Sequence, residues 1–403
     1  MKYSVITFGC RVNQADSLAI ERDLRARGAT DAAPEQADLL IVNTCSVTST
    51  ADQGARQTIR RIARNNPGIQ IVVTGCYATR RPDEIQQLPN VVHVVPNSAK
   101  DTLVADVCSG PEKFVDGEGP CGDTLTPGVG GRTALTLRVQ TGCDERCSYC
   151  IIPRTRGAGR SRPLEDVVRD IERAVAAGYK EIAITGVHLG SYGRDLGDTS
   201  LERLVGTLAA WPADVLFRIS SLEPMDCTPV IVDLIAESPR LAPHFHLPLQ
   251  HGSDEMLEAM RRPYDAEFYR RLIDRIARAM PHASIGTDVI VGFPGETDAH
   301  CDATRALLST LPLSHVHVFP YSDRPGTEAS QLPGKVAGAT IRARGAAIRQ
   351  IGADLSRRFR AGQAGTQRRA LAVDDGWSAV TDNYVKIALP TQHARNTWVT
   401  VTL

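Results

Sequence analysis

The residues with the clearest chemical potential are three cysteines within eight positions of one another, Cys143, Cys147 and Cys150. They form a C-x3-C-x2-C motif that directly follows an apolar, strand-like segment. Thiolates are soft ligands that suit zinc or iron–sulfur clusters. Because a structural zinc ion is normally closed by four ligands, three thiolates favour a four-iron cluster with one iron open to a small molecule. The alternative is a zinc site completed by a distant histidine.

A second set of cysteines, Cys10, Cys45 and Cys76, ends three apolar segments, ITFGC, LIVNTC and VVTGC. These cysteines are 35 and 31 residues apart, which matches the length of one strand–helix repeat. In a parallel sheet the equivalent ends of the strands meet at one edge, where open α/β sheets bind ligands. We therefore expect the three thiols to converge and to hold a second cluster with an open iron. The alternative is three buried cysteines that pack as small apolar residues.

The segments that position these cysteines alternate between strand-like and helix-like patterns. Residues 1–110 contain apolar strands separated by helices, which predicts a parallel sheet covered on both faces. Residues 111–131 are rich in Gly, Pro and acidic residues and are predicted to be a linker. Residues 132–360 contain six strand–helix units, which right-handed crossovers would close into a full or partial barrel. Residues 361–403 have the short strands and turns of a small β-barrel.

Composition and charge limit the classes of function. No apolar run is long enough to span a membrane, and the first ten residues have no signal-peptide pattern, so we expect a cytoplasmic protein. The chain has ten cysteines, and in that compartment cysteines more often serve as metal ligands or catalytic groups than as disulfides. The net charge is zero, but residues 335–403 carry a net charge of +7, which suggests a C-terminus that faces nucleic acid. An exposed basic face without a partner is the alternative.

Four segments closely resemble the radical S-adenosylmethionine (SAM) methylthiotransferases: FGCRVNQADS, IVNTCSV, VVTGCYA and GCDERCSYCIIPRTRGAGRSRP. The resemblance covers nearly the whole chain. It implies an α/β protein with an N-terminal methylthiotransferase domain, a partial (β/α)6 radical SAM barrel and a short, TRAM-like RNA-binding domain. It also implies SAM and two [4Fe-4S] clusters, an auxiliary cluster on the N-terminal cysteines and a radical SAM cluster on the central ones.

The segments NTCSVTSTADQGARQTIRR and GVHLGSYGRDL look most like the branch of that family that modifies N6-threonylcarbamoyladenosine at position 37 of tRNA. The branch that acts on isopentenyladenosine has an arginine soon after its NTC motif, where this chain has Val47 and Thr48. The branch that acts on a ribosomal protein reads NTC-Gly-Phe, which is also absent. The resemblance thus implies formation of a 2-methylthio derivative, through hydrogen abstraction at adenine C2 by a SAM-derived radical and transfer of a methylated sulfur.

Polar residues at the predicted strand ends are candidates for binding SAM, because the carboxyl ends of barrel strands are where sites form. These candidates are Gly186, Ser221, Glu223, Gln250 and Asp288. The loop over residues 153–162 carries arginines whose planar forks suit phosphate oxygens. We expect these to bind the anticodon loop: Arg154, Arg156, Arg160 and Arg162. Strand-end capping and an exposed basic loop are the respective alternatives.

Two histidine pairs alternate along predicted strands, His244 with His246 and His315 with His317, so each pair faces one side. We expect these imidazoles to be packed or hydrogen-bonded in the interior rather than to bind metal. The remaining cysteines have no ligand-like spacing and are expected to be structural: Cys108, Cys121, Cys227 and Cys301.

The predicted partners are tRNA, bound through its anticodon loop, and a low-potential electron donor such as flavodoxin or ferredoxin, and we expect a monomer. One rival function is a cobalamin-dependent radical SAM methyltransferase, but the chain has no D-x-H-x-x-G cobalamin motif. A second rival is a non-enzymatic iron–sulfur sensor that binds RNA. Six predicted barrel strands with polar ends favour catalysis over this role.

Overall fold

The computed structural model of the chain describes residues 1–108, residue 127 and residues 133–403. The described residues form two compact units. The first contains residues 1–108 with Thr141–Glu145 and Cys150–Ala158, and the second contains residues 133–140, Arg146–Tyr149 and Gly159–Leu403. The domain boundaries at residues 110, 131 and 360 remain predictions. Cys121 and, apart from residue 127, the linker predicted over residues 111–131 lie outside the described residues.

The first unit contains a parallel sheet with helices on both faces. Its strands are β1 (Lys2–Thr7), β2 (Thr30–Asp31), β3 (Leu39–Thr44), β4 (Gln70–Gly75) and β5 (Val91–Val95). Its helices are α1 (Arg11–Ala26), α2 (Ser49–Asn65), α3 (Cys76–Arg80), α4 (Pro82–Gln86), α5 (Leu103–Val107) and α6 (Ile152–Arg156). All neighbouring strands are parallel, and their order in the sheet is β2-β1-β3-β4-β5. The predicted parallel α/β sheet is confirmed. The apolar pattern indicated β1, β3 and β4 but not the two outer strands, β2 and β5.

Strand β3 shows why this sheet is buried on both faces. All six of its residues are buried, and its apolar run continues without polar alternation. Leu40 and Val42 belong to a core that includes residues of α2, whereas Leu39 and Ile41 belong to a second core that includes residues of α1. Because successive side chains of a strand point to opposite faces, a continuous apolar run is what a sheet covered by helices on both faces requires.

The second unit contains the predicted strand–helix array. Its strands are β6 (Leu135–Arg138), β7 (Gln140–Thr141), β8 (Arg160–Ser161), β9 (Glu181–Thr185), β10 (Leu216–Ile219), β11 (His244–His246), β12 (Ser284–Val291) and β13 (His315–Pro320). The helices between them are α7 (Leu164–Ala176), α8 (Leu201–Ala209), α9 (Pro229–Glu237), α10 (Asp254–Ala259), α11 (Ala266–Ala279) and α12 (Asp298–Thr310).

Six of these strands follow one another in chain order. Strands β6, β9 and β10 form one parallel sheet, and β11, β12 and β13 form another. A parallel bridge between Phe217 and Leu241 and a 2.9 Å hydrogen bond from the Leu222 N–H to the His246 carbonyl join the two sheets. The predicted partial (β/α)6 barrel is therefore confirmed. Strand β11 ends at His246, two residues before Pro248, which has no N–H to extend the ladder.

The chain ends in a long helix and a small antiparallel sheet. These elements are α13 (Gly338–Gly362), β14 (Gln367–Val373), β15 (Ser378–Thr381), β16 (Lys386–Ala388) and β17 (Trp398–Thr402). The strand order is β16-β15-β14-β17, consistent with the expected small β domain. Several basic residues of this region form ion pairs within the fold, among them Arg368 with Asp382 at 2.7 Å and Arg369 with Asp214 at 2.8 Å. Part of the positive charge of the C-terminal region is thus neutralised by ion pairs within the fold.

The length and hydropathy of the helices show whether any of them could span a membrane. Among the helices that the structure describes, none combines the length and the apolar character needed to cross a membrane.

Glu296, in the loop after β12, is a buried carboxylate that links this loop to α13. It accepts hydrogen bonds from His251 at 3.2 Å, from the Gly292 N–H and from Arg344 at 2.8 Å. Burial alone would raise the pKa of Glu296, but the hydrogen bonds from His251 and Gly292 outweigh it and hold that pKa below its usual value. The resulting stability is complete above about pH 5 and is lost as the pH falls through the folded-state pKa.

We expect Glu296→Gln to lower the free energy of unfolding at pH 7 by about 1–3 kcal/mol, because it removes a charged acceptor from buried donors. The stability of the variant should also fall less between pH 6 and pH 4 than that of the unchanged protein. Anaerobic denaturant unfolding at both pH values measures this difference. The control is Glu255→Gln, whose side chain is 80% exposed. Equal pH dependence in the Glu296 variant and the unchanged protein would contradict this role.

Candidate active site

The three N-terminal cysteines lie at the carboxyl ends of three neighbouring strands. Cys10 follows β1 and is the N-cap residue of α1, Cys45 follows β3, and Cys76 follows β4 as the first residue of α3. The strand order of this sheet reverses between β1 and β3. Ligands of open α/β sheets bind outside the carboxyl ends of the strands at such a reversal. Cys10 and Cys45 flank that point, and Cys76 lies on the adjoining strand end.

Two glycines allow these strand ends to approach closely. Gly9 and Gly75 have φ values of +98° and +99°, a conformation that L side chains rarely adopt. A Cβ atom on Gly9 would lie 2.6 Å from the Cys45 sulfur, and one on Gly75 would overlap the Thr44 carbonyl oxygen. The glycine that precedes cysteine in ITFGC and in VVTGC is therefore required by space as well as by backbone conformation.

Cys10 and Cys76 both lie close enough to Cys45 to influence the pKa of its thiol. Burial, and to a smaller extent the charges of Cys10 and Cys76, raise the pKa of Cys45 to about 11. Cys45 and Cys76 are buried, whereas Cys10 is exposed. A thiol with a raised pKa keeps its proton at neutral pH unless a metal replaces that proton. Three convergent thiols fit a cluster that is bound through three thiolates.

Polar groups surround two of these sulfurs. The Val47 N–H points at the Cys45 sulfur at 3.5 Å, and the Asn97 side-chain amide points at the Cys76 sulfur at 3.6 Å. The same Asn97 amide donates to the Thr155 carbonyl at 2.8 Å, so its orientation is fixed. Hydrogen bonds to ligating sulfurs are one of the means by which a protein tunes an iron–sulfur cluster.

Arg156 joins this group, and its position corrects the sequence analysis. We expected Arg156 on an exposed loop that binds RNA, but its side chain is only 2% exposed. Its guanidinium contacts Asp16 at 3.1 Å, and the Cys76 thiol is a further hydrogen-bond partner. Lys100 contacts the same carboxylate at 2.9 Å. Two buried cations around one buried anion leave a net positive charge beside the thiols, which favours an anionic, thiolate-bound group.

The central cysteines lie on the loop between β7 and α6, which contains no helix or strand over residues 142–151. Each of the three is half-buried. Gly142, with φ +75°, begins this loop, and a Cβ atom there would overlap the Ala158 carbonyl group. The Cys143 N–H donates to the Gly157 carbonyl at 3.1 Å, which holds the start of the loop. The donor set, three thiols in eight residues, fits a [4Fe-4S] cluster with one open iron.

Arg262, a residue that the sequence analysis missed, contacts the middle cysteine of this loop. Its guanidinium donates to the Cys147 sulfur at 3.0 Å and forms an ion pair with Glu223. Its Nε donates to the Tyr264 hydroxyl at 3.1 Å. Glu223, which was expected to bind SAM, therefore reaches the thiol loop through Arg262.

The other predicted SAM contacts lie at three different places. Gly186 follows β9 next to Gln140, and a Cβ atom there would lie 3.0 Å from the Gln140 side-chain oxygen. Gln250 has φ +66°, and its N–H donates to the Asp288 carbonyl at 2.9 Å. Ser221 and Asp288 both contact His246, each at 3.0 Å. The structure thus groups Ser221 with Asp288 through a histidine that was not among the predicted site residues.

The remaining arginines of the basic loop differ in exposure. Arg154 and Arg160 are exposed, as an RNA-binding role requires. Arg162 is half-buried and forms an ion pair with Asp170 at 2.7 Å. Only Arg154 and Arg160 therefore present an exposed guanidinium.

Two family models match the chain, the one described as uncharacterized protein family UPF0004 over residues 2–96 and the one described as radical SAM superfamily over residues 137–308. Together with the strand array and the thiol loop, these matches define the class as radical SAM enzymes. A solved structure of the radical SAM methyltransferase TsrM from Kitasatospora setae, with cobalamin and a [4Fe-4S] cluster bound, has a TM-score of 0.58 over 81% of this chain and 76% of that chain. Its sequence identity is 16%, so the likeness concerns the fold alone.

Proteins with similar sequences identify the family within the radical SAM enzymes. The threonylcarbamoyladenosine tRNA methylthiotransferase MtaB of Thermotoga maritima is 37% identical over 91% of this chain and 85% of its own length. MtaB of Aquifex aeolicus is 36% identical over 96% of both chains. A tRNA-2-methylthio-N(6)-dimethylallyladenosine synthase of Herpetosiphon aurantiacus is 35% identical over 82% of this chain and 76% of its own. The chain belongs to the radical SAM methylthiotransferase family, whose cofactors are SAM and [4Fe-4S] clusters.

Proposed function

We propose that this enzyme methylthiolates C2 of N6-threonylcarbamoyladenosine at position 37 of tRNA. The observation that carries the proposal is the convergence of three thiols on the carboxyl edge of the first-unit sheet, in a chain with a separate C-x3-C-x2-C loop. The names of the MtaB relatives, which match up to 96% of this chain, support the choice of substrate.

When bound, the two clusters and SAM supply a carbon-centred radical and a methylated sulfur. The chain's own residues bind and orient these groups. Asn97 and Arg156 direct N–H groups at Cys76, and Arg262 directs one at Cys147. Hydrogen bonds of this kind to ligating sulfurs are one of the means by which a protein tunes an iron–sulfur cluster.

The contacts to SAM and RNA are also part of the proposal. Gly186 and Gln250 are proposed to border SAM, and Glu223 to act through Arg262. Arg154 and Arg160 are proposed to bind the phosphates of the anticodon loop, because both are exposed. A flavodoxin or ferredoxin is the proposed electron donor, since reductive cleavage of SAM needs a low-potential electron.

The proposal is tested with the full chain, reconstituted anaerobically, together with SAM, dithionite and tRNA. Matched tRNA substrates carry threonylcarbamoyladenosine, isopentenyladenosine or unmodified adenosine at position 37. Mass spectrometry of the digested nucleosides is expected to show a methylthio product from the first substrate alone.

Each other outcome corrects a different part of the proposal. A product from the isopentenyl substrate alone would overturn the choice of substrate and keep the methylthiolation. Cleavage of SAM without a methylthio product on any of the tRNAs would overturn the methylthiolation itself.

A further inference from the structure

Three polar side chains lie together on the inner part of the strand array. His246, Asp288 and His317 belong to β11, β12 and β13, three adjacent parallel strands. His246 is opposite Gly286 in the register, and Asp288 is opposite His317. Because alternate residues of a strand share a face, these three side chains point to the same side of the sheet.

The opposite face of the same strands is covered by helix α11. Thr287, between Gly286 and Asp288, accepts a hydrogen bond from the Tyr269 hydroxyl of that helix at 2.9 Å. Ile285, Thr287 and Val289 are all buried. The polar group therefore lies on the face away from α11, where the His246 and Asp288 side chains are each 21% exposed and His317 is exposed. A solute can reach it.

The donor atoms of the three residues have the spacing of metal ligands. One ligand atom from each of His246, Asp288 and His317 lies within 4.8 Å of the other two. The His246 Nε2 and the Asp288 Oδ1 are 3.0 Å apart. Two ligand atoms bound about 2.0–2.2 Å from a tetrahedral ion are separated by slightly more than this 3.0 Å distance. A hydrogen bond would account for the His246–Asp288 pair alone, whereas His317 adds a third ligand atom within 4.8 Å of the other two. The Nδ1 of His317 lies 3.3 Å from the His315 Nε2.

The surroundings orient the candidate ligands. The second ring nitrogen of His246 contacts the Ser221 hydroxyl at 3.0 Å, which fixes the ring and directs Nε2 at Asp288. A metal-bound histidine usually has such a partner on its other nitrogen. The His317 ring packs against the His315 ring, with centroids 4.2 Å apart. All three ligands lie on strands, which hold side chains more rigidly than loops do.

The geometry points to a binding site for one divalent transition-metal ion at His246, Asp288 and His317, formed without any of the cysteines. Two imidazoles and one carboxylate suit zinc or ferrous iron and leave at least one coordination position for an oxygen ligand. The site replaces the expectation that Asp288 binds SAM. It also replaces the expectation that these histidines serve only as packed interior residues.

The test uses the full chain with its clusters reconstituted and oxidised, passed over a chelating resin, and Mn²⁺ as the probe. Bound Mn²⁺ loses the sharp electron paramagnetic resonance signal of the free ion, so a titration counts sites without displacing thiolate-bound iron. We expect one saturable site per chain. His317→Gln should weaken the binding at least about tenfold, as expected for the loss of a ligand group.

The matched control is His93→Gln, an exposed histidine on β5 in the other unit, which should bind Mn²⁺ like the unchanged protein. Iron content and melting temperature establish that each variant is folded. His317 is the deciding position, because His246→Gln also removes contacts to Ser221 and Asp288. The inference is overturned by the absence of a saturable site, by equal affinity in His317→Gln, or by displacement of Mn²⁺ by a hundredfold excess of Mg²⁺.

Discussion

Cys76→Ala is expected to lower the yield of the methylthio product at least about 100-fold. The cleavage of SAM should remain intact. The variant keeps the central thiol loop but has only Cys10 and Cys45 at the edge of the first sheet, too few to retain a four-iron cluster. Its iron content should fall from about eight to about four atoms per chain. Anaerobic iron analysis, measurement of 5′-deoxyadenosine and nucleoside mass spectrometry follow the three effects separately.

The control for this variant is Cys108→Ala, which removes a half-buried thiol from the end of α5 in the same unit. It should keep its full iron content and its full product yield. Full methylthiolation by Cys76→Ala would show that the three convergent thiols do not form a functional ligand set.

Asp16→Ala is expected to destabilise the first unit by about 3–5 kcal/mol, because it leaves Arg156 and Lys100 as buried cations without their shared anion. The Asp16 side chain is 0% exposed, and those of the two cations are 2% and 3% exposed. Burial already lowers the pKa of Lys100, and the loss of Asp16 should lower it further. Because unfolded Lys100 then binds more protons than folded Lys100, the stability of the variant should rise with pH.

Anaerobic denaturant unfolding at pH 7 and pH 9 measures both effects. The control is Asp23→Ala on the same helix, which removes an exposed ion pair with Arg22 and should cost less than about 1 kcal/mol. Similar losses of stability in the two variants would contradict the buried network.

The sequence was sufficient to predict the features that depend on local pattern. The apolar run of β3 and the repeat spacing of Cys10, Cys45 and Cys76 predicted a parallel sheet with three cysteines at one edge. The six barrel strands were predicted for the same reason, since buried parallel strands are continuous apolar runs. One helix boundary was misplaced: the pattern predicted a helix from Ala15, whereas α1 begins at Arg11, directly after its N-cap residue Cys10.

The features that were missed depend on partners far away in the chain. Arg156 resembles a phosphate-binding arginine in its own loop, and its buried partner Asp16 is 140 residues earlier. Arg262 contacts Cys147 across 115 residues. The group of His246, Asp288 and His317 depends on the register of three strands. The alternation of His315 and His317 indicated a shared face, but only the register shows which residues lie opposite them.

The presence of Thr141–Glu145 and Cys150–Ala158 in the first compact unit has a consequence for protein engineering. A chimera joined anywhere between residues 109 and 132 would combine Asp16 and Lys100 from one parent with Arg156 from the other. The parents would have to be compatible at this contact, because no junction between residues 109 and 132 takes all three residues from one parent. Exchange of the N-terminal part among family members should therefore succeed only when the short segment after the central cysteines is exchanged with it.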